Sequence, residues 1–233
     1  MRVLGIDTSG HTNAIGVVDD GRVLADIVCE AKSVSLEKIV SNIDSALKSA
    51  GLTLDDMQGF GVGLGPGSWT GIRIGVTVGK ILAYSANKPV CGVPTLEALA
   101  CGAVNISAPV CAIINAGAGN TIYAAFYHVD KGSVTRIGEY YVGDIKGLVE
   151  KIKEPVVFIG TEIQSYSNLM IKTLGSSDMI IDAMESLPGG TEIALLAATR
   201  LERGESDNTL SLTPLYLKES IAKAFVNSYS GKA

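Results

Sequence analysis

The strongest constraint in this sequence is an order of hydrophobic periods that occurs twice. In the first hundred residues "RVLGIDTS", "TNAIGVVD" and "RVLADIVCE" read as strands, the last two joined by a turn at Asp19-Asp20-Gly21. Leu36, Ile39, Val40, Ile43, Leu47 and Ala50 then recur at helical spacing, with Ser35 as N-cap and Gly51 as stop. "GFGVGL" is a buried strand, residues 71–87 a second helix, "KPVCGV" another strand and "TLEALACG" a short helix. The order then returns. "PVCAIIN", "TIYAAFYHV" and "SVTRIGEYYV" are strands, followed by "DIKGLVEKI" as helix, "EPVVFIGT" as strand and "QSYSNLMIKTLG" as helix. "DMIIDA" and "GTEIALLAATRLERG" add a strand and a helix. Such a repeat predicts two α/β halves, each a mixed sheet covered by helices. The division falls at residues 1–104 and 105–233, with no low-complexity linker, so the halves are expected to pack directly on each other. The tail "LTPLYLKESIAKAF" keeps apolar residues and is expected to dock.

Only 18% of the residues are charged while 47% are hydrophobic. An ordinary soluble domain carries about 25% charge, so the apolar excess points to a partner surface. The net charge is −5 and the cations are scattered, which argues against this chain gripping nucleic acid by itself. No apolar run reaches the roughly 18 residues of a membrane span, and "MRVLGIDTSG" does not resemble a signal peptide. A cytoplasmic protein is expected, with Cys29, Cys91, Cys101 and Cys111 as free thiols rather than disulfides or metal ligands.

His11 and His128 are the only histidines, and no two-histidine helix pair exists, so a zinc hydrolase is excluded and no metal is expected. A G-x-S-x-G nucleophile elbow is absent too. Asp7 ends the first strand in "GIDTS", where an acid could orient a magnesium-bound nucleotide with Thr8 and Ser9 facing its phosphates. It could equally accept local backbone hydrogen bonds. Asn115, at the matching strand end of the second half, weakens an independent ATPase.

The stretch "GLGPGSWTGIRIG", residues 63–75, turns a strand into a helix. It lacks the lysine of a phosphate loop, although the backbone N–H groups around Gly67 and Ser68 could meet an anion. Arg73 opposes the helix dipole and requires a partner, either a bound anion or a carboxylate such as Asp7. Gly71, Gly75, Gly79 and Ala83 form a small-residue row at a cost of about 0.5–1 kcal/mol per glycine, which implies a close backbone neighbour. That neighbour is either the chain's own sheet or a helix of a partner.

These residues carry a resemblance. "GIDTS", "GxGPGSWTGIRIG", "GVPTLEALA" (92–100) and "PLYLK" (214–218) are similar to the TsaB (YeaZ) family, over nearly the whole chain, with Trp69 where the family usually shows Phe. The resemblance implies the duplicated ribonuclease-H-like fold of the actin, Hsp70 and sugar-kinase (ASKHA) group. It implies a non-catalytic subunit without cofactors, required for threonylcarbamoyl transfer to the adenosine 3' of the anticodon in tRNA. Its partners would be the catalytic paralogue TsaD and the ATPase TsaE, with tRNA met only through the complex and a homodimer formed when the paralogue is absent. The paralogue's metal-holding histidines correspond to Thr95 and Leu99, which cannot ligate. Departures from the family pattern are Ser33 and Ser35, where a basic residue and a histidine are common, and Asn115-Ala116-Gly117, where Asp-Ala-Arg is usual. The docking face is expected to comprise Leu36, Ile39, Val40, Ile43, Leu47, Gly71, Ile72, Gly75, Gly79 and Ala83. Asp7, Thr8, Ser9, Gly67, Ser68 and Arg73 form the candidate nucleotide or anion site. The rival reading is an independent ATP-dependent phosphotransferase of the same fold; a glycoprotease role is more remote still.

Overall fold

The computed structural model describes residues 1–30, 36–103, 106, 108–117, 120–130, 132–161, 163–174 and 180–218. Ser33, Ser35, the Leu36 side chain, residues 118–119 of the divergent loop and the tail beyond 218 lie outside them.

Alternating apolar segments pair into two sheets of identical topology. In the first, β1 (Arg2–Asp7) lies between β2 (Thr12–Asp19), antiparallel, and β4 (Gly59–Gly63), parallel. With β3 (Arg22–Glu30) and β5 (Val90–Val93) the order is β3-β2-β1-β4-β5. In the second, β6 (Val110–Asn115) lies between antiparallel β7 (Ile122–Asp130) and parallel β9 (Val156–Gly160). β8 (Ser133–Gly143) and β10 (Ile180–Glu185) are its edges, so the order is β8-β7-β6-β9-β10. This duplication is the two-half α/β fold the sequence predicts.

Helices cover both faces of each sheet. α1 (Leu36–Ser49) and α2 (Trp69–Ala86) bury Ile39, Ile43, Leu47, Ile72 and Val76 against Leu4, Ile6, Phe60 and Val62 of the first sheet. α4 (Ile145–Val149) and α5 (Ile163–Leu174) cover one face of the second sheet, around Ile113, Phe158 and Met170. Two further described helices are exchanged between the sheets. α3 (Thr95–Cys101) packs Leu96 and Leu99 on the second sheet, and α6 (Gly190–Glu202) packs Ile193, Ala194 and Ala197 on the first.

α6 comes close because the sheet face beneath it is bare. A Cβ on Gly5 would strike Gly190 and Ala194; on Gly61 it would strike Ala197 and Ile193; on Gly16, the Thr191 backbone. The halves are also tied by charge. Arg200 of α6 donates to Glu97 Oε1 of α3 at 2.5 Å and to the Gly92 carbonyl of β5 at 3.0 Å.

Candidate functional site

The loop of residues 63–68 rests on the end of β1. Asp7 is 1% exposed. One carboxylate oxygen accepts from the Ser9 amide at 2.7 Å and the Ser9 hydroxyl at 2.6 Å. The other accepts from Thr95 Oγ1 at 2.9 Å, and Thr95 Oγ1 in turn accepts from the Gly65 amide at 3.1 Å. Burial pushes the Asp7 carboxyl above the ordinary carboxylate range, with the hydrogen bonds from Ser9 and Thr95 opposing it. Thr8 Oγ1 donates to the Gly71 carbonyl at 2.7 Å, and the Ser68 amide donates to the Ser9 carbonyl at 2.6 Å. Asp7, Thr8 and Ser9 are therefore engaged inside the chain, where they bind the loop and the start of α2 to β1.

α2 begins two residues earlier than the period suggests, because Ser68 caps it: its hydroxyl accepts from the Gly71 amide at 3.2 Å. Gly67 lies against the Ser9 carbonyl, where a side chain would not fit. The Gly65–Pro66 peptide bond is cis. Asn87 ends the helix in the left-handed conformation.

Arg73 does not reach Asp7. Its guanidinium lies over the Trp69 ring at 4.4 Å from the centroid, and its Nε donates to the Tyr216 hydroxyl at 3.0 Å. Trp69 and Tyr216 stack at 4.2 Å with an interplanar angle of 28°. The expectation of a carboxylate partner is corrected: the helix-opposing cation is held by the Trp69 ring and by the Tyr216 hydroxyl, the latter contributed by a segment 143 positions further along the chain. Nothing local in the sequence signals that contact.

The small-residue row faces inward. Gly71 and Gly75 lie on Thr8, Gly79 lies on Val62, and Ala83 is buried. Ile39, Ile43, Leu47 and Ile72 are buried in the same core. Of the described side chains expected on the docking face, Val40 alone is exposed, at 53%; placing the others there is corrected, since the sheet of the same chain is their neighbour. The opposite side of α2 carries what the solvent meets: Thr70, Arg73, Thr77, Ile81 and Tyr84, with Ile81 58% and Tyr84 73% exposed. Helical spacing puts 77, 81 and 84 opposite the row at 71, 75 and 79, so Ile81 and Tyr84 are outward once the row is seen to be buried.

His11 and His128 are exposed, in different halves. Thr95 and Leu99 are buried, 0% and 2% exposed, in α3. Asn115 ends β6, and its side-chain oxygen accepts from the Gly117 amide at 2.8 Å. Among the described residues no three His, Cys, Asp or Glu side chains gather in a metal-holding group, and no helix is long and apolar enough to cross a membrane. The four cysteines are free thiols, and burial pushes Cys101 up to about 11.

A family model described as "TsaD: tRNA N6-adenosine threonylcarbamoyltransferase" matches residues 29–224. The tRNA threonylcarbamoyladenosine biosynthesis protein TsaB of Bacillus subtilis (strain 168) is 28% identical over 227 residues, spanning 96% of this chain and 97% of the relative. Among solved structures, YeaZ from Pseudomonas aeruginosa superposes with a TM-score of 0.78 at 23% identity, covering 93% of this chain and 99% of that one. The ROK hexokinase from Thermus thermophilus shares the fold at a TM-score of 0.51 and 14% identity, covering 88% of this chain and 100% of its own. The duplicated ribonuclease-H-like architecture of the sugar-kinase group is thereby the fold of this chain.

Proposed function

This chain belongs to the family described as TsaD, tRNA N6-adenosine threonylcarbamoyltransferase, with the TsaB (YeaZ) proteins as full-length relatives, and on that premise we propose that it serves threonylcarbamoyladenosine formation in tRNA as a non-catalytic subunit. It binds a catalytic paralogue of the same fold through the outer face of α1 and α2. The observation that carries this reading is the apolar side chains left in solvent there: Val40, Ile81 and Tyr84. Without the paralogue, the same face pairs two copies of this chain, so the homodimer and the complex exclude each other. The ATPase of the pathway joins the pair, and tRNA is met through the assembly rather than by this acidic chain alone. The internal engagement of Asp7, Thr8 and Ser9 supports a scaffold over a phosphotransferase.

Ile81→Glu and Tyr84→Glu place a charge on the docking face without entering the core. Each is expected to weaken association with the purified paralogue about tenfold or more, on the order of 1.4 kcal/mol, and to shift the homodimer to monomer. Titration calorimetry and size-exclusion chromatography read both, with circular dichroism confirming the fold. In reconstituted modification of tRNA, the paralogue and ATPase require this chain, while the chain alone transfers nothing. Robust metal-dependent turnover by the pure chain, or undiminished binding by both variants, overturns the proposal.

A further inference from the structure

After α6 the chain runs back along one flank of α2, in the opposite direction to the helix. The Asp207 amide donates to the Val90 carbonyl at 2.9 Å, and its carboxylate accepts from the Gly92 amide at 2.7 Å. A turn follows: the side-chain oxygen of Asn208 accepts from the amides of Leu210 and Ser211 at 2.9 and 3.2 Å. Leu212, 8% exposed, enters the core of the first half. Midway along α2, Lys80 Nζ donates to the Leu210 and Leu212 carbonyls at 3.1 and 2.9 Å. The Leu215 amide donates to the Leu64 carbonyl at 2.9 Å, on the loop leading into α2. Tyr216 then stacks on Trp69 and takes the hydrogen bond of Arg73.

These contacts touch α2 at its first turn and its middle, and touch the loop that carries it. We propose that residues 207–218 are a clasp that fixes the pose of α2, and that its seating preorganises this helix for docking. Its contacts differ in strength along its length. At Val90 and Leu64 they are backbone hydrogen bonds, at Gly92 the amide donates to the Asp207 carboxylate, and Leu212 is enclosed. The last contact is open to water, with Trp69 and Tyr216 each 40% exposed. That end yields first, and it yields at Trp69 and Arg73, in the first two turns of the helix. The start of α2 is then gripped from one side only, by the hydrogen bonds of Thr8 and Ser9, while Leu215 still holds the loop at Leu64.

A partner that accepts α2 only in the seated pose binds in proportion to the seated fraction. By linkage, docking in turn seats the clasp. The identity of that partner rests on the function proposed above, whereas the seating is a property of the chain alone, so the two can fail separately.

Trp69 is the only tryptophan of the chain, so its emission reports the open end of the clasp directly. In the full chain, Tyr216→Ala is expected to raise acrylamide quenching of Trp69 about twofold. Amide exchange in the first two turns of α2 should quicken about tenfold, while the amides of β1 and β4 keep their protection. Affinity for the purified paralogue should fall about fivefold. Lys80→Met, which removes both carbonyl contacts and keeps the alkyl stem, should act in the same direction. If Tyr216→Ala does not fold, Tyr216→Phe keeps the stacked ring, loses only the Arg73 bond, and should give a smaller shift of the same sign. Wild-type quenching and exchange in these variants overturn the clasp. A loosened α2 with unchanged affinity overturns its role in docking. Failure of the wild-type chain to bind the paralogue overturns the proposed function instead, and the quenching and exchange data still decide whether the clasp sets α2.

Discussion

Thr95 passes a hydrogen bond from the Gly65 amide to the Asp7 carboxylate, so it joins three segments that are distant in sequence. Thr95→Val keeps the shape and removes both links, leaving a buried carboxylate with one donor fewer. A loss of about 1–3 kcal/mol is expected, measured by urea unfolding. Asp7 also sets a pH dependence. Burial raises its native pKa above the unfolded value, so its contribution is intact below about pH 4 and is lost as the pH rises through the native value. Relative to Asp7→Asn, the wild-type chain should therefore lose stability on going from acid to neutral pH; a constant difference would show that the carboxyl titrates normally in the fold. Asp7 was legible in the sequence as a residue of consequence. Its partners were not, because a strand-end acid facing a ligand and one facing its own loop carry the same local pattern.

At the scale of elements, the two inward rows of glycine decide what can be changed. Gly75→Leu would drive a side chain into Thr8, and Gly79→Leu would drive one into Val62. Either is expected to cost on the order of 3 kcal/mol and to lower the melting temperature of the monomer. A folded variant that has lost only its partner would return the row to the docking face. The order of strands and helices was readable from hydrophobic period, and the start of α2 only to within two residues, since Ser68 as cap outweighs the period. The direction of the glycine row was not readable. Small residues at every fourth position demand a close neighbour without naming it. The outward side of α2 follows once the inward side is known, which is why Ile81 and Tyr84 emerge from the structure and not from the row itself.

The whole molecule is held by exchange: α3 belongs by sequence to the first half and packs on the second sheet, while α6 does the reverse. No periodic pattern assigns an amphipathic helix to one of two sheets, so this crossing was beyond the sequence. The Arg200–Glu97 pair spans it, with side chains 27% and 12% exposed. Glu97→Ala leaves a mostly enclosed guanidinium without its carboxylate and is expected to cost about 3 kcal/mol in urea unfolding, with both halves melting together. Glu97→Gln, which still accepts a hydrogen bond, should cost less. The late position of α6 has a consequence for how the chain is made. During synthesis β1 leaves the ribosome some 180 residues ahead of Gly190, the first residue of the helix that covers it. Throughout that interval one side of the first sheet waits unclothed, and at Gly5, Gly16, Gly59 and Gly61 it offers passing chains only backbone, with little side chain to adhere to.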